Sequence, residues 1–535
     1  AETPELREAF NAVLPEITEF WSRLPLNEDL WSRVRTFGES PEGRNLTGLQ
    51  ARHLRKTLQD FRRAGADLPP HRKARLQEIR LELAQLQRKF SENVLDATAA
   101  YTLHITDETR LDGIPPGPLN RFRDRAREEG LPGWILTLDF PSFEPVMKYA
   151  TDRSLRRELH QAYLGRCRGD EFDNLPLIPR VLKLRQELSE ILGHANFPDY
   201  RLEDAMAGSG ARAVAFEEDL VARTRPYWKS DLQELQSHSR TLGIPELEPW
   251  DVAFTAESLR KERYDIDDEL LRPYFPLDRV LKGLFRITET LFGLQVVPSE
   301  NPQVWHPDVR YYDLRDEEGT WLGSFYTDWF PRKEKRQGAW MNDFLTGGPR
   351  KDGTFQPHLG FIAGNFSPPE EGKPSLLTHR EVQTVFHEFG HLLHHLTSRV
   401  PIPARGGLNV AWDWVELPSQ LMENWTWEED ALTLFSGHFE TGEPLPSHIL
   451  DRMTAARRFM GGWHQMRQLS FGTLDLALHG TFAPALTAVP GGGPGDGTGD
   501  PAVEALLDFV EDHLMAYSPG PSFARSHILT TFSHL

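Results

Sequence analysis

The run Glu381-Val-Gln-Thr-Val-Phe-His387-Glu388-Phe-Gly-His391 carries two histidines four positions apart, with a glutamate directly after the first. On an α-helix four residues return a side chain to the same face one turn on, so the two imidazoles project side by side. The helix is predicted by Val382, Val385, Phe386, Phe389, Leu392, Leu393 and Leu396, which flank the histidine stripe with apolar residues. Two neutral imidazoles so placed can share one zinc ion, and Glu388 then stands beside the open position of the metal. With 20 histidines in the chain, residue frequencies produce this pentapeptide by chance in about one such sequence in twenty. The competing reading is a solvated, histidine-rich helix, because His394 and His395 follow.

A third ligand sets the subclass. A motif of the metzincin type needs Gly at position 394 and His at position 397; the chain has His394 and Thr397, which excludes it. The remaining source is a carboxylate on a following helix, and spacing alone leaves Glu416 and Glu423 both open. Asp413 and Glu416 also read as a helix capping box. Glu428-Glu429-Asp430 reads as a solvated face.

Outward from this helix the chain changes character. Towards the N-terminus, Leu76, Ile79, Leu83, Leu86, Phe90 and Val94 recur every three or four residues and predict a long amphipathic helix from Pro70 to about Leu95. The same period covers Leu155 to Tyr163, Val181 to Leu192 and Val214 to Leu235, with loops expected near Gly113 to Pro118 and Gly243 to Pro249. Val309 to Leu314 and Thr320 to Trp329 are rich in aromatic residues and flank the turn signal Arg315-Asp-Glu-Glu-Gly319, which predicts a hairpin. Leu359 to Asn365 is a third strand, either an edge that could align an extended peptide by strand addition or an ordinary core strand. Pro490 to Pro501 is nearly all Gly, Pro, Asp and Thr and reads as a flexible surface loop.

At 535 residues the chain exceeds one hydrophobic core, and its 39% hydrophobic and 26% charged residues suit a globular protein. A net charge of −19 argues against broad binding to nucleic acid or anionic membranes. Cys167 is the only cysteine, so no intrachain disulfide can form, which fits a reducing, cytoplasmic setting. Its neighbours Arg166 and Arg168 would lower its pKa somewhat, yet no partner for a nucleophilic role is identifiable. No apolar stretch reaches the length of about 20 residues that spans a bilayer, and Ala1-Glu-Thr-Pro-Glu5 is unlike a targeting peptide.

The runs His387-Glu-Phe-Gly-His391 and Val415-Glu416-Leu-Pro-Ser-Gln420-Leu-Met-Glu-Asn-Trp425 resemble the thimet oligopeptidase family of zinc metallopeptidases, in particular its bacterial oligopeptidase A group. Leu271-Arg-Pro-Tyr-Phe-Pro276, Val304-Trp-His-Pro-Asp-Val-Arg310, Gly323-Ser-Phe-Tyr326, Gly338-Ala-Trp-Met341, Ser436-Gly-His-Phe-Glu-Thr-Gly-Glu-Pro-Leu-Pro446 and Asn93-Val-Leu-Asp-Ala-Thr98 extend the likeness over essentially the whole chain. The resemblance implies a mainly α, two-lobed body with a deep channel and a small β-sheet beside a gluzincin-type site. Residues 1–265 would form much of one lobe and residues 266–535 the catalytic region, with lobes discontinuous in sequence. It selects Glu416 as the third ligand of a single zinc ion, after His387 and His391. It implies hydrolysis of short peptides, with Glu388 taking a proton from the attacking water and passing it to the leaving amine.

Ligating histidines donate their second N–H to an acceptor. Glu423, two turns beyond Glu416, is the first candidate, and Glu381 and Asp413 are alternatives. The rival activities are a dipeptidyl carboxypeptidase of the same family and a zinc-bearing peptide-binding fragment with little turnover. Phe532-Ser-His534-Leu535 resembles a run that in the family continues into a tyrosine-bearing segment. The resemblance gives His534 a role as an oxyanion donor. It also raises the expectation of a trimmed chain or of a separate C-terminal fragment docked against this one.

Overall fold

The computed structural model describes residues 3–265, 268–299, 302–332, 335–370, 372–487 and 500–532. The long amphipathic pattern forms helix α1 (Pro70–Ala100), which buries Leu76, Ile79 and Phe90 along one stripe. A short helix α2 (Phe140–Tyr149) follows, opened by Asp139, whose carboxylate accepts from the Ser142 N–H. The pattern at Leu155 becomes the helix Arg153–Leu164. Helices α3 (Leu177–Ile191) and α4 (Gly210–Thr241) complete the helices expected from the period, each running a few residues beyond the prediction. The break at Gly113 is a turn, but Pro116 to Pro118 already belong to the next helix, Pro116–Glu128, because proline suits a first helical turn.

Helix α5 (Leu277–Phe292) leads into a five-stranded sheet: β1 (Gln295–Pro298), β2 (Arg310–Arg315), β3 (Trp321–Asp328), β4 (Trp340–Leu345) and β5 (His358–Ala363). The spatial order is β1-β2-β3-β5-β4. The predicted hairpin is β2 and β3, closed where the Asp316 carboxylate accepts from the Thr320 N–H at 2.7 Å and Gly319 adopts φ +79°. Strand β5 pairs parallel to β3 and antiparallel to β4. It is therefore interior, and β4 is the edge. The edge reading of Leu359 to Asn365 is corrected accordingly, since a strand hydrogen-bonded on both sides has no free N–H or C=O row to offer.

Behind the sheet runs α6 (His379–Leu396), followed by α7 (Glu416–Glu423) and, further on, α8 (Gly461–Ala477). One apolar cluster joins α5, the sheet and α6 through Leu284, Phe325, Trp329, Phe386, Phe389 and Phe435. Burying each of these large side chains stabilises the fold by about 1.5–3 kcal/mol. A second cluster packs Phe90, Ile178 and Leu182 against Leu474, Leu506, Val510 and Leu529, so early and late parts of the sequence share a core. The fold is mainly α with one small sheet set against the histidine helix. Most of the predicted loop Pro490 to Pro501 lies outside the described residues; Pro501 itself opens the helix Pro501–Met515.

Candidate metal centre

Helix α6 begins with a reciprocal capping box. Thr378 Oγ1 accepts from the Glu381 N–H at 3.1 Å, and the Glu381 carboxylate accepts from the Thr378 N–H at 2.7 Å. The box predicted at Asp413 and Glu416 is absent. The Asp413 carboxylate instead accepts from the backbone N–H groups of Met206 and Ala207, both at 2.9 Å, and ties the segment before α7 to the bend that precedes α4. Val382, Val385, Phe386 and Leu392 are fully buried, which fixes the rotation of α6 and turns His387 and His391 towards α7.

The glycine inside the pentapeptide explains how close α7 comes. A Cβ at Gly390 would lie 2.6 Å from Ser419 Cα and 2.7 Å from the Pro418 carbonyl oxygen. Only a residue without a side chain lets the two helices touch there. The close approach sets Glu416 Oε2 3.2 Å from His387 Nε2 and 3.0 Å from His391 Nε2. One ligand atom from each of the three residues lies within 4.8 Å of the others. Ser419 Oγ–H donates to Glu416 Oε2 at 2.8 Å and holds the carboxylate in that pose.

The His387 Nδ1–H donates to Glu423 Oε1 at 2.7 Å, the partner expected first; that bond leaves the Nε2 lone pair aimed at the convergence point. Of the alternatives, Glu381 caps the helix and Asp413 is engaged elsewhere. Nδ1 of His391 is buried with no hydrogen-bond partner among the described residues. Burial alone would lower the pKa of His387, but hydrogen bonds to Glu416 and Glu423 outweigh it and push it up to about 10. The same bonds from His387 and His391 hold the Glu416 carboxyl well below the usual range. A cation at the convergence point requires both Nε2 atoms unprotonated, so it competes directly with these protons. Two imidazole nitrogens and one carboxylate oxygen form a donor set that fits a borderline-soft divalent ion such as zinc.

Glu388 is 6% exposed, on the turn between the two histidines. Burial raises its pKa, against the pull of the two histidines, and the Met341 backbone on edge strand β4 hydrogen-bonds its carboxylate. The carboxyl is thereby poised to exchange a proton. The histidine-rich-surface reading fails for the residues that follow. His395 is fully buried, with its ring 5.0 Å from that of His358, and burial lowers the pKa of both His394 and His395. Glu428, Glu429 and Asp430 are exposed, as expected of a solvated face.

His534 lies outside the described residues. Cys167 is fully buried and burial pushes its thiol up to about 12, so Arg166 beside it does not produce the lowered pKa expected from sequence. Sequence reasoning missed Ser419, Gly390 and the Met341 backbone. The signal for Ser419 was its position three residues after Glu416, one helical turn on.

A mainly helical body, a small sheet and a His-Glu-x-x-His helix met by a carboxylate helix define a peptidase fold with a group able to hold a metal. Residues 146–488 match peptidase family M3. The chain belongs to that family. It is 38% identical to oligopeptidase A of Escherichia coli K12 over 540 residues, covering 100% of this chain and 77% of the relative. It is 31% identical to the dipeptidyl carboxypeptidase of the same organism, covering 89% of this chain and 70% of the relative. A solved structure described as an oligoendopeptidase F from Bacillus anthracis shares the fold, with a TM-score of 0.54 at 16% identity, covering 96% of this chain and 74% of the other.

Proposed function

We propose that the chain is a zinc metalloendopeptidase acting on short peptides, with His387, His391 and Glu416 as the metal ligands and Glu388 as general base and acid. The observation that carries this reading is the convergence of the three ligand atoms within 4.8 Å, next to a buried carboxyl of raised pKa. Bound zinc supplies Lewis acidity, polarising the scissile carbonyl and acidifying water. Glu388 accepts the proton of the attacking water, aided by burial that keeps its charged form reactive, and returns it to the departing amine. Glu423 keeps His387 in the ligating tautomer, and Ser419 keeps Glu416 oriented.

Edge strand β4, whose Met341 backbone already meets Glu388, has no strand on its outer side among the described residues, and an extended peptide can lie there. Leu417, Leu421 and Trp412 are large apolar side chains left exposed on and beside α7, and they suit the side chains of such a peptide. Backbone recognition favours tolerance of many sequences, and a channel between two lobes, divided near residue 265, would exclude folded proteins. Among the described residues no helix is long and apolar enough to cross a membrane, and we place the enzyme in the cytoplasm. The same donor set serves a dipeptidyl carboxypeptidase, and likeness to both relatives keeps that activity as the second reading.

The test is digestion of a mixed library of unstructured peptides beside a stably folded domain, with and without a chelator. We expect internal cuts in peptides, none in the folded domain, and loss of activity on chelation that zinc restores. Cutting that continues at full rate after complete metal removal would contradict the proposal.

A further inference from the structure

Two buried histidines outside the metal centre, His358 on β5 and His395 on α6, meet ring to ring at 5.0 Å with 67° between their planes. His358 is 2% exposed and His395 is fully buried. Eight residues after His387, His395 stands about 80° further round α6, and it reaches the sheet instead of α7. Among the described residues neither ring pairs with a carboxylate, and the hydrogen bonds they make go to the main chain.

His395 Nε2–H donates at 3.2 Å to the carbonyl of Leu345, the last residue of β4. His358 Nδ1 accepts from the Gly347 N–H at 3.0 Å, two residues beyond that strand, and its Nε2–H donates to the Ser398 carbonyl at 2.8 Å. An accepting Nδ1 makes His358 a neutral ring with its proton on Nε2. Nδ1 of His395 has no partner among the described residues, and a Cβ at Gly407 would lie 2.6 Å from it. Burial lowers the pKa of both rings and keeps them neutral.

These bonds fall where the sheet runs out of partners. The ladder between β4 and β5 is irregular between Asp343 and Leu345 and stops at the pair Leu345–Leu359. An apolar side chain at 358 or 395 would fill the space and leave the Leu345 and Ser398 carbonyls and the Gly347 N–H without these partners. The surrounding chain is fastened in the same sense. A Cβ at Gly348 would lie 2.6 Å from Pro403 Cγ, the Arg399 guanidinium stands 5.5 Å from the Phe355 ring, and the Gly407 N–H donates to Ser398 Oγ at 2.9 Å. The connection from β4 to β5 is thus held against the segment that follows α6.

Strand β4 packs on α6 and is tied to it at two points. Met341 meets Glu388 near the start of the strand, and Leu345 meets His395 at its end. Four strand residues cover about 13 Å, and the seven helix residues from Glu388 to His395 cover about 10 Å, so strand and helix are matched between the two ties. Release of the far tie would let the edge swing about the near one.

We propose that His358 and His395 are positioning residues of the peptidase site, a clamp that holds the end of edge strand β4 on α6 and so sets the peptide-binding edge relative to Glu388. The inference rests on the function proposed above and adds two residues, outside the metal centre, on which its rate depends.

The test compares the zinc-loaded parent, His395→Leu and His395→Gln chains by steady-state kinetics per bound zinc and by amide hydrogen exchange. In His395→Leu we expect kcat/KM to fall about 10²-fold, as a misplacement of about 1 Å can cause, with zinc content unchanged. Exchange over residues 341–347 speeds up, while residues 382–391 on α6 stay protected. His395→Gln, whose Nε2 reaches the same carbonyl, recovers most of the rate and of the protection. A folded, zinc-replete His395→Leu chain with parent kinetics overturns the clamp. So does activity lost only in step with zinc, or a His395→Gln chain that recovers nothing. Should His395→Leu not fold, His358→Gln decides, because it keeps the bond to Ser398 and gives up the one from Gly347. Faster exchange at Gly347 with lowered kcat/KM then supports the clamp, and parent behaviour overturns it. A zinc-loaded parent chain that cuts no peptide overturns the peptidase reading instead, and the exchange comparison still reads the clamp.

Discussion

Two polar clusters in the second half of the sequence are each built around a carboxylate and are finished in opposite ways. At Asp328 the carboxylate is fully engaged. Its carboxylate accepts from Trp305 Nε1 at 2.9 Å, from both terminal nitrogens of Arg332 at 2.9 and 2.6 Å, and from Lys335 Nζ at 2.9 Å. Lys335 Nζ also donates to the carbonyls of Asp328 and Phe330, both at 2.8 Å. Around Glu416 two imidazole nitrogens and a carboxylate oxygen aim at one point, and the Glu416 side chain remains 52% exposed. A closed cluster serves the fold, whereas a convergent one that solvent can reach is arranged for a guest. The difference is one of completeness, and composition alone would not reveal it.

The largest effect that separates the clusters is on rate. Glu388→Gln is expected to lower turnover by about 10² to 10⁴, the range of a general acid–base residue, with metal content unchanged. Steady-state kinetics beside metal analysis checks it, and near-normal turnover in the zinc-replete variant would sink the mechanism. Next, Asp328→Asn leaves Lys335 and Arg332 without their buried counterion and should lower stability by about 3 kcal/mol, read from denaturant unfolding.

The pH dependence of that loss has a definite sign. Burial opposes ionisation of Asp328, but bonds from Arg332, Trp305 and Lys335 prevail and hold its pKa down to about 2. A depressed carboxyl adds stability that is full above its unfolded value of about 3.9 and is lost as pH falls through about 2. The parent chain should therefore lose about 2 kcal/mol between pH 4 and 2 from this group, and Asp328→Asn should not.

Smaller again, Glu423→Gln should weaken zinc affinity by about 10- to 100-fold, as loss of an acceptor behind a ligating histidine does. A metal-buffer titration reads it, and an unchanged affinity would mean that the Glu423 contact does not orient His387. The smallest effect concerns Cys167. Its buried thiol, pushed up to about 12, should resist alkylation in the native chain and leave activity untouched, whereas the unfolded chain is labelled at once.

The metal helix was legible because its period, its histidine spacing and its apolar flanks all point the same way. The β2–β3 hairpin was legible from its aromatic strands and glycine turn. What sequence could not supply was anything that depends on the packing of distant segments. Whether Leu359 to Asn365 was an edge turned on β4, a strand that ends 14 residues before Leu359 and carries no strand signal of its own as clear as that of the hairpin. Spacing left Glu416 and Glu423 interchangeable until the contact at Gly390 brought α7 against α6 and gave each glutamate its own partner. Local charge at Cys167 pointed to a lowered pKa, and burial in the fold reversed the sign.

The central claim is that His387, His391 and Glu416 hold one zinc ion on which peptide hydrolysis depends, and metal stoichiometry by mass spectrometry tests it most directly. The account predicts one zinc per parent chain, and none with no activity in His391→Ala, whose fold is checked by its circular dichroism. An active parent chain free of metal, or a folded His391→Ala chain that keeps its zinc and its turnover, would contradict it.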